Sequence, residues 1–164
     1  MTTVPISIPG PAQINVTLTS TGTGSERLVF APVADYFGPA SFDYTVMNGS
    51  GHFSTAVVSV NVANTEDAPT DLVFNGNTTT TAASLNENSA NGTVVATLST
   101  LDPDNANGVV NDTFTYTLAS NFGGRFQIVG NEIRVQNGAL LDYESGPRTF
   151  ALGVTSNDGH GGTI

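Results

Sequence analysis

The chain has no cysteine, no tryptophan and no lysine, and its only basic side chains besides two histidines are Arg27, Arg125, Arg134 and Arg148. Without thiols there is no disulfide, no thiolate metal site and no cysteine nucleophile. Against four cations stand 14 Asp and Glu, giving a formal net charge of −10 over 164 residues. Nucleic acids and anionic lipid surfaces are gripped by clustered Lys and Arg, so this balance argues against both as partners. It suits solubility by self-repulsion, or the binding of cations. No apolar run reaches the length that crosses a bilayer, so direct membrane insertion is not expected. No basic-then-apolar leader opens the chain, and Met1 begins a polar, strand-like stretch, as expected of a start within a longer protein.

Helix formers are scarce as well. Leu and Glu are few, whereas Thr, Asn, Ser, Gly and Val abound. That composition favours strands and turns, and no segment shows an apolar stripe of period 3.6. Alternation of period two is everywhere instead. It predicts strands at 14–20 (INVTLTS), 27–32, 41–47, 55–63, 92–98, 112–119, 125–129, 132–136 and 148–155. Turn signals such as NGSGH, VGNE, QNGA and DGHGG separate them. Residues 78–82, TTTTA, read as a loop or an edge strand. Short strands at this spacing predict an all-β fold built as a sandwich.

The alternation breaks at 63–70, ANTEDAPT, which reads as a linker. An internal repeat agrees with that division. SFDYTVMNGSGHFSTA (41–56) aligns without gaps on TFALGVTSNDGHGGTI (149–164), placing Phe42 on Phe150, Val46 on Val154, Gly51 on Gly159 and His52 on His160. The expected organisation is a partial repeat over 1–63, a linker over 64–69 and a second repeat over 70–164. The first repeat is expected to lack its opening strands and the second its last strand. Exposed strand edges should follow, and such edges invite pairing with another chain.

The few charges come in couplets: Asp102 and Asp104 around Pro103, and Asp142 with Glu144 in LDYE. Acids two apart on an extended segment point the same way and can reach one ion. Pro103 fixes its own φ and biases Asp102 to an extended shape. Calcium takes six to eight oxygen ligands, mostly carboxylates and carbonyls. The DPDNANG stretch is not an EF-hand loop, because Asn107 and Thr113 stand where that loop needs Gly and Glu. Asp is also common in turns for its own local hydrogen bonding, so a couplet by itself leaves both readings open.

Taken in order, the motifs resemble the cadherin repeat, of the sort found in large bacterial surface adhesins. LNEN (85–88) is similar to the glutamate motif of the first strand, DPD (102–104) to the DxD motif and LDYE (141–144) to the LDRE motif. SNDGHGG (156–162) is similar to the later single-Asp loop, and TEDAP (65–69) to the interrepeat linker motif. The resemblance covers nearly all of residues 66–163, and the first repeat is similar to related adhesin repeats. It implies tandem immunoglobulin-like (cadherin-like) β-sandwiches, the first incomplete. It implies a Ca2+ site near the linker, made by Asp67, Asp102, Asp104 and Asp158 with Glu66 beside them. A second set, Glu87, Asp142 and Glu144, is implied at the far end of the same repeat. The implied role is a calcium-binding adhesion or spacer module at a bacterial cell surface. Its implied partners are calcium, neighbouring repeats of the same protein and a further protein or glycan.

An enzyme is not expected. No Ser or Cys elbow motif accompanies the histidines, and His52 and His160, each after a glycine in equivalent loops, read as exposed turn residues. A glycosidase pair of Glu87 and Glu144 fits by residue type, but neither acid shows a reason in the sequence for a raised pKa. The alternative reading is a carbohydrate-binding β-sandwich, or an accessory domain of a secreted enzyme. The lack of Trp, and the core parity of most Phe and Tyr, count against it.

Overall fold

The computed structural model describes residues 6–7, 14–20, 26–78, 82–105 and 112–164. The chain divides into two compact units, Met1–Thr65 and Glu66–Ile164. Among the described residues there are strands, turns and two 3-10 turns, and no α-helix.

The first unit holds β1 (Ile6–Ser7), β2 (Ile14–Ser20), β3 (Glu26–Pro32), β4 (Gly38–Met47) and β5 (Phe53–Val62). One sheet has the order β1-β4-β5, and β2 pairs with β3 in another. Two-residue alternation places Ile14 and Phe42 in the interior. β4 and β5 form a long hairpin running from Gly38 opposite Val62 to Met47 opposite Phe53. The Asn48 carboxamide closes the turn by accepting from the backbone N–H of Ser50 and of His52. The expectation of missing opening strands falls on residues 1–13, most of which lie outside the described residues.

The second unit holds β6 (Asp71–Phe74), β7 (Val94–Leu101), β8 (Thr115–Leu118), β9 (Phe126–Val129), β10 (Glu132–Val135) and β11 (Val154–Asn157). A four-stranded sheet, β6-β7-β10-β9, faces a pair, β11-β8. Every pairing is antiparallel. Ala96 and Leu98 of β7, Phe126 of β9, and Ile133 and Val135 of β10 form the core with Leu141. Tyr116, Leu118 and Val154 of the smaller sheet pack against it. Phe122, Phe126 and Phe150 meet edge to face in the same layer, a geometry that adds to the burial itself. Thr100 of β7 hydrogen-bonds across the sandwich to Ser156 of β11 and Tyr116 of β8.

Two sequence expectations change. β6 was not expected from DLVF; its four residues become a strand because β7 supplies the partner, Asp71 opposite Leu101 through Phe74 opposite Leu98. The strand expected at 148–155 is paired only over Val154–Asn157. Alternation tells which way side chains point, but a strand also needs a second backbone, and β8 is only four residues long. Within the patch expected as loop or edge strand, residues 79–81 lie outside the described residues.

Candidate metal centre

One end of the second unit gathers four loops. β6 is preceded by residues 66–70, and the Thr70 N–H and hydroxyl both donate to the Leu101 carbonyl. That contact holds the stretch against the end of β7. β7 then runs into Asp102 and a 3-10 turn, Pro103–Asn105. Proline suits the start of this turn, because its φ is preset and the missing N–H has no partner to lose there. Asp102 Oδ1 accepts from the Asp104 N–H at 2.9 Å, which aims the Asp104 side chain inward. Asp104 Oδ2 accepts the Asp67 N–H at 2.7 Å. Asp112 leads into β8, its N–H held by Asn105 Oδ1 at 3.0 Å.

The loop after β11 is shaped around Asp158. Its Oδ1 accepts the N–H groups of His160, Gly161 and Gly162 at 2.7, 2.9 and 3.0 Å. Gly161 has φ +115°, in the region that glycine takes without a Cβ clash. A Cβ on Gly162 would lie 2.0 Å from Asp158 Oδ2, so the loop closes on the carboxylate only because that Cβ is absent.

The result is a knot of negative charge with little water. Asp104, Asp112 and Asp158 are 1%, 3% and 1% exposed. Carboxylate oxygens of Asp102, Asp104 and Asp112 lie within 4.8 Å of one another. At that separation two carboxylates repel by about 3–4 kcal/mol at an effective dielectric of about 20. The oxygens Asp102 Oδ2, Asp112 Oδ2 and Asp158 Oδ2 are buried with no hydrogen-bond partner among the described residues. Buried polar atoms are nearly always paired, so a cluster of orphaned anionic oxygens calls for a cation. The donors are hard oxygens, the set that suits calcium or magnesium and not a soft metal.

Electrostatics report the same crowding. Loss of hydration pushes the Asp102 carboxyl up, and the charges of Asp112, Asp104 and Asp158 push it further, against the pull of the Asp104 N–H. Loss of hydration also raises Glu66; His160 draws it back, and Asp104, Asp112 and Asp158 raise it again. Burial would raise Asp158, but its three backbone N–H donors together hold it below the usual carboxylate range.

His160 is exposed, as expected of a turn residue, yet its Nδ1 lies 3.0 Å from both Asp112 Oδ1 and Glu66 Oε1. The hydrogen bond to Asp112 comes first in raising its pKa, followed by the charge of Glu66. A histidine with a raised folded pKa stabilises fully below its unfolded value, about 6.5, and loses that contribution as pH rises through the folded value. In chelator, His160→Gln is therefore expected to unfold at lower urea than wild type at about pH 6, with the gap narrowing as pH rises through the raised folded value. A gap that stays constant with pH would mean that His160 contributes packing alone.

The second expected set also comes together. Oxygens of Glu87, Asp142 and Glu144 lie within 4.8 Å of one another. Glu87 Oε2 accepts the Tyr143 N–H, and Asp142 accepts the N–H groups of Glu144 and Ser145 and the Ser145 hydroxyl. Those contacts, the hydroxyl first, hold Asp142 below the usual range. Glu144 is pushed up, chiefly by the charge of Glu87. The sequence showed no reason for a raised carboxyl here; the fold supplies one by bringing Glu87 across. Glu87 and Glu144 remain exposed, so water screens this set far more than the first.

Of the expected linker-side residues, Asp102 and Asp104 meet Asp112 in one group and Glu66 meets Asp112 and His160 in another; Asp158 is near enough for its charge to raise Asp102 and Glu66, whereas Asp67 contributes its backbone N–H. Asp112 was missed. It heads an alternating run and reads as the first residue of a strand. The one available signal was that an Asp breaks the apolar parity of that run eight residues after Asp104.

Residues 2–61 match the family model described as a bacterial Ig domain. The fold is similar to that in the crystal structure of the protocadherin gammaB4 extracellular domain, with a TM-score of 0.56 and 21% identity, covering 98% of this chain and 25% of that chain. The chain thus has a cadherin-like, immunoglobulin-like fold. It spans about a quarter of that ectodomain's length. The chain matches no curated protein.

Proposed function

We propose that this chain is a calcium-binding adhesion or spacer module of a larger extracellular protein on a bacterial surface. Three buried, unpartnered carboxylate oxygens on loops far apart in sequence carry the reading. Asp102, Asp104, Asp112 and Asp158 would hold the ion, with Glu66 at its rim. A divalent cation there cancels the mutual repulsion of the acids. It also ties residues 66–70 to the loops after β7 and β11, and so stiffens the junction with the preceding repeat. Binding to the folded state alone raises stability by mass action, and extracellular calcium is abundant enough to fill a site of modest affinity. Glu87, Asp142 and Glu144 would serve a junction with a following repeat. The two units are read as tandem repeats. The role is mechanical and not catalytic, in keeping with immunoglobulin-like folds generally; neighbouring repeats and a protein or glycan ligand are the partners it implies.

Isothermal titration of the chain with calcium, and separately with magnesium, tests this. The expected result is one calcium-selective site with dissociation constant between about 10⁻⁵ and 10⁻³ M. No heat and no change in melting temperature with calcium would sink the reading.

A further inference from the structure

Asp112 belongs to two groups of potential ligands. One is the set with Asp102 and Asp104; in the other, donor atoms of Glu66, Asp112 and His160 lie within 4.8 Å of one another. One of the three donors in that second group is an imidazole nitrogen. Its members come from separate stretches of chain: Glu66 from the segment before β6, Asp112 from the approach to β8 and His160 from the loop after β11.

The geometry is already close to that of a metal site. His160 Nδ1 lies 3.0 Å from Asp112 Oδ1 and from Glu66 Oε1. Ionised carboxylates only accept, so without a metal a hydrogen on Nδ1 must sit between them. Zinc bonds imidazole nitrogen and carboxylate oxygen at about 2.0–2.2 Å, which sets neighbouring donors about 3.0–3.5 Å apart at octahedral to tetrahedral angles. The imidazole is rooted in place, because Asp158 Oδ1 accepts the His160 backbone N–H at 2.7 Å. Asp112 is 3% exposed, and its Oδ2 is buried with no hydrogen-bond partner among the described residues. The contact with His160 leaves that anionic oxygen unanswered, which a doubly charged ion would not. The outer side is open: the side chains of His160 and Glu66 are 48% and 49% exposed, so water can complete a coordination shell.

We propose that Glu66, Asp112 and His160 bind a divalent transition-metal ion of the zinc type, with water as the remaining ligand. Calcium and magnesium take oxygen ligands, whereas zinc takes imidazole and carboxylate together. The site goes beyond the calcium reading and does not rest on it, since Asp112 alone is common to the two ligand groups. An ion held there ties residue 66 to the loop after β11.

The test uses the full chain in calcium-free buffer, titrated with zinc chloride and followed by the imidazole nitrogen resonances. The chain has two histidines, and His52, in the equivalent loop of the first unit, is the internal control. Zinc should shift His160 Nδ1 saturably at one equivalent and leave His52 in place. By isothermal titration, His160→Gln and Glu66→Gln should each weaken zinc binding by more than the roughly tenfold typical of losing an outer hydrogen-bond partner of a ligand, and His52→Gln should bind as wild type does. Equal movement of both histidines, or unchanged zinc affinity in His160→Gln, overturns the proposal. Calcium heat without a zinc shift at His160 sinks this site alone, and a zinc shift without calcium heat sinks the calcium reading alone.

Discussion

Asp112→Asn is expected to make the protein more stable in chelator and less stable in calcium. The side chain keeps its shape and loses its charge. In chelator, wild type holds Asp102, Asp104 and Asp112 with their oxygens within 4.8 Å and no cation between them. Removing one charge relieves pair repulsions of about 3–4 kcal/mol each at an effective dielectric of about 20. Part of that is lost with the His160 contact at 3.0 Å, and a net gain of about 1–2 kcal/mol at pH 8 is expected. In calcium the sign reverses. A ligand at one hundred times its dissociation constant stabilises wild type by about 2.7 kcal/mol. For a unit of about 100 residues that is a rise in melting temperature of roughly 10 °C or more. The variant, with one anionic ligand gone, should keep little of it. Thermal melts of both proteins, with 10 mM calcium and with excess chelator at equal ionic strength, should therefore cross. Parallel shifts of the same sign in both conditions would mean that Asp112 is a packing residue.

Gly162→Ala should strongly destabilise the second unit. The added Cβ would lie 2.0 Å from Asp158 Oδ2, 2.8 Å from Pro69 Cδ and 3.0 Å from Ala68 Cα. Two of these atoms belong to a backbone or a ring that cannot swing aside, and the third is fixed by the three N–H donors of its own loop. The loop must open, which breaks some of those hydrogen bonds and exposes a buried carboxylate. A loss of about 2–4 kcal/mol is expected in urea unfolding, together with at least a tenfold weaker calcium response. Gly49→Ala is the control, because it has no positive φ and no atom within 4 Å of the added Cβ. It should cost under about 0.5 kcal/mol. If Gly162→Ala matches the control, the packing of 68–69 on the Asp158 loop is not what holds the cluster together.

Much of the fold was legible because period-two alternation is written locally. INVTLTS forms β2 over the residues expected, and the strands at 126–129 and 132–135 fall within a residue of their expected bounds. The cadherin-like motifs likewise pointed to Asp102, Asp104 and Asp158, because a couplet around proline and an Asp ahead of glycines are local patterns. The all-β, sandwich-type fold could be expected on these grounds before any coordinates.

Only the tertiary structure decided which acids meet. Asp112 and His160 are 48 residues apart and touch because β8 and β11 are paired. Glu87 and Tyr143 are 56 residues apart and join through one backbone N–H. It also decided where strands stop. Residues 148–153 alternate as well as any strand here, but an edge becomes a strand only when another backbone arrives, and β8 ends at Leu118. Side-chain direction is fixed by each residue's own backbone and can be read along the chain. Burial of a charge and completion of a sheet depend on partners from elsewhere, and no local pattern encodes them.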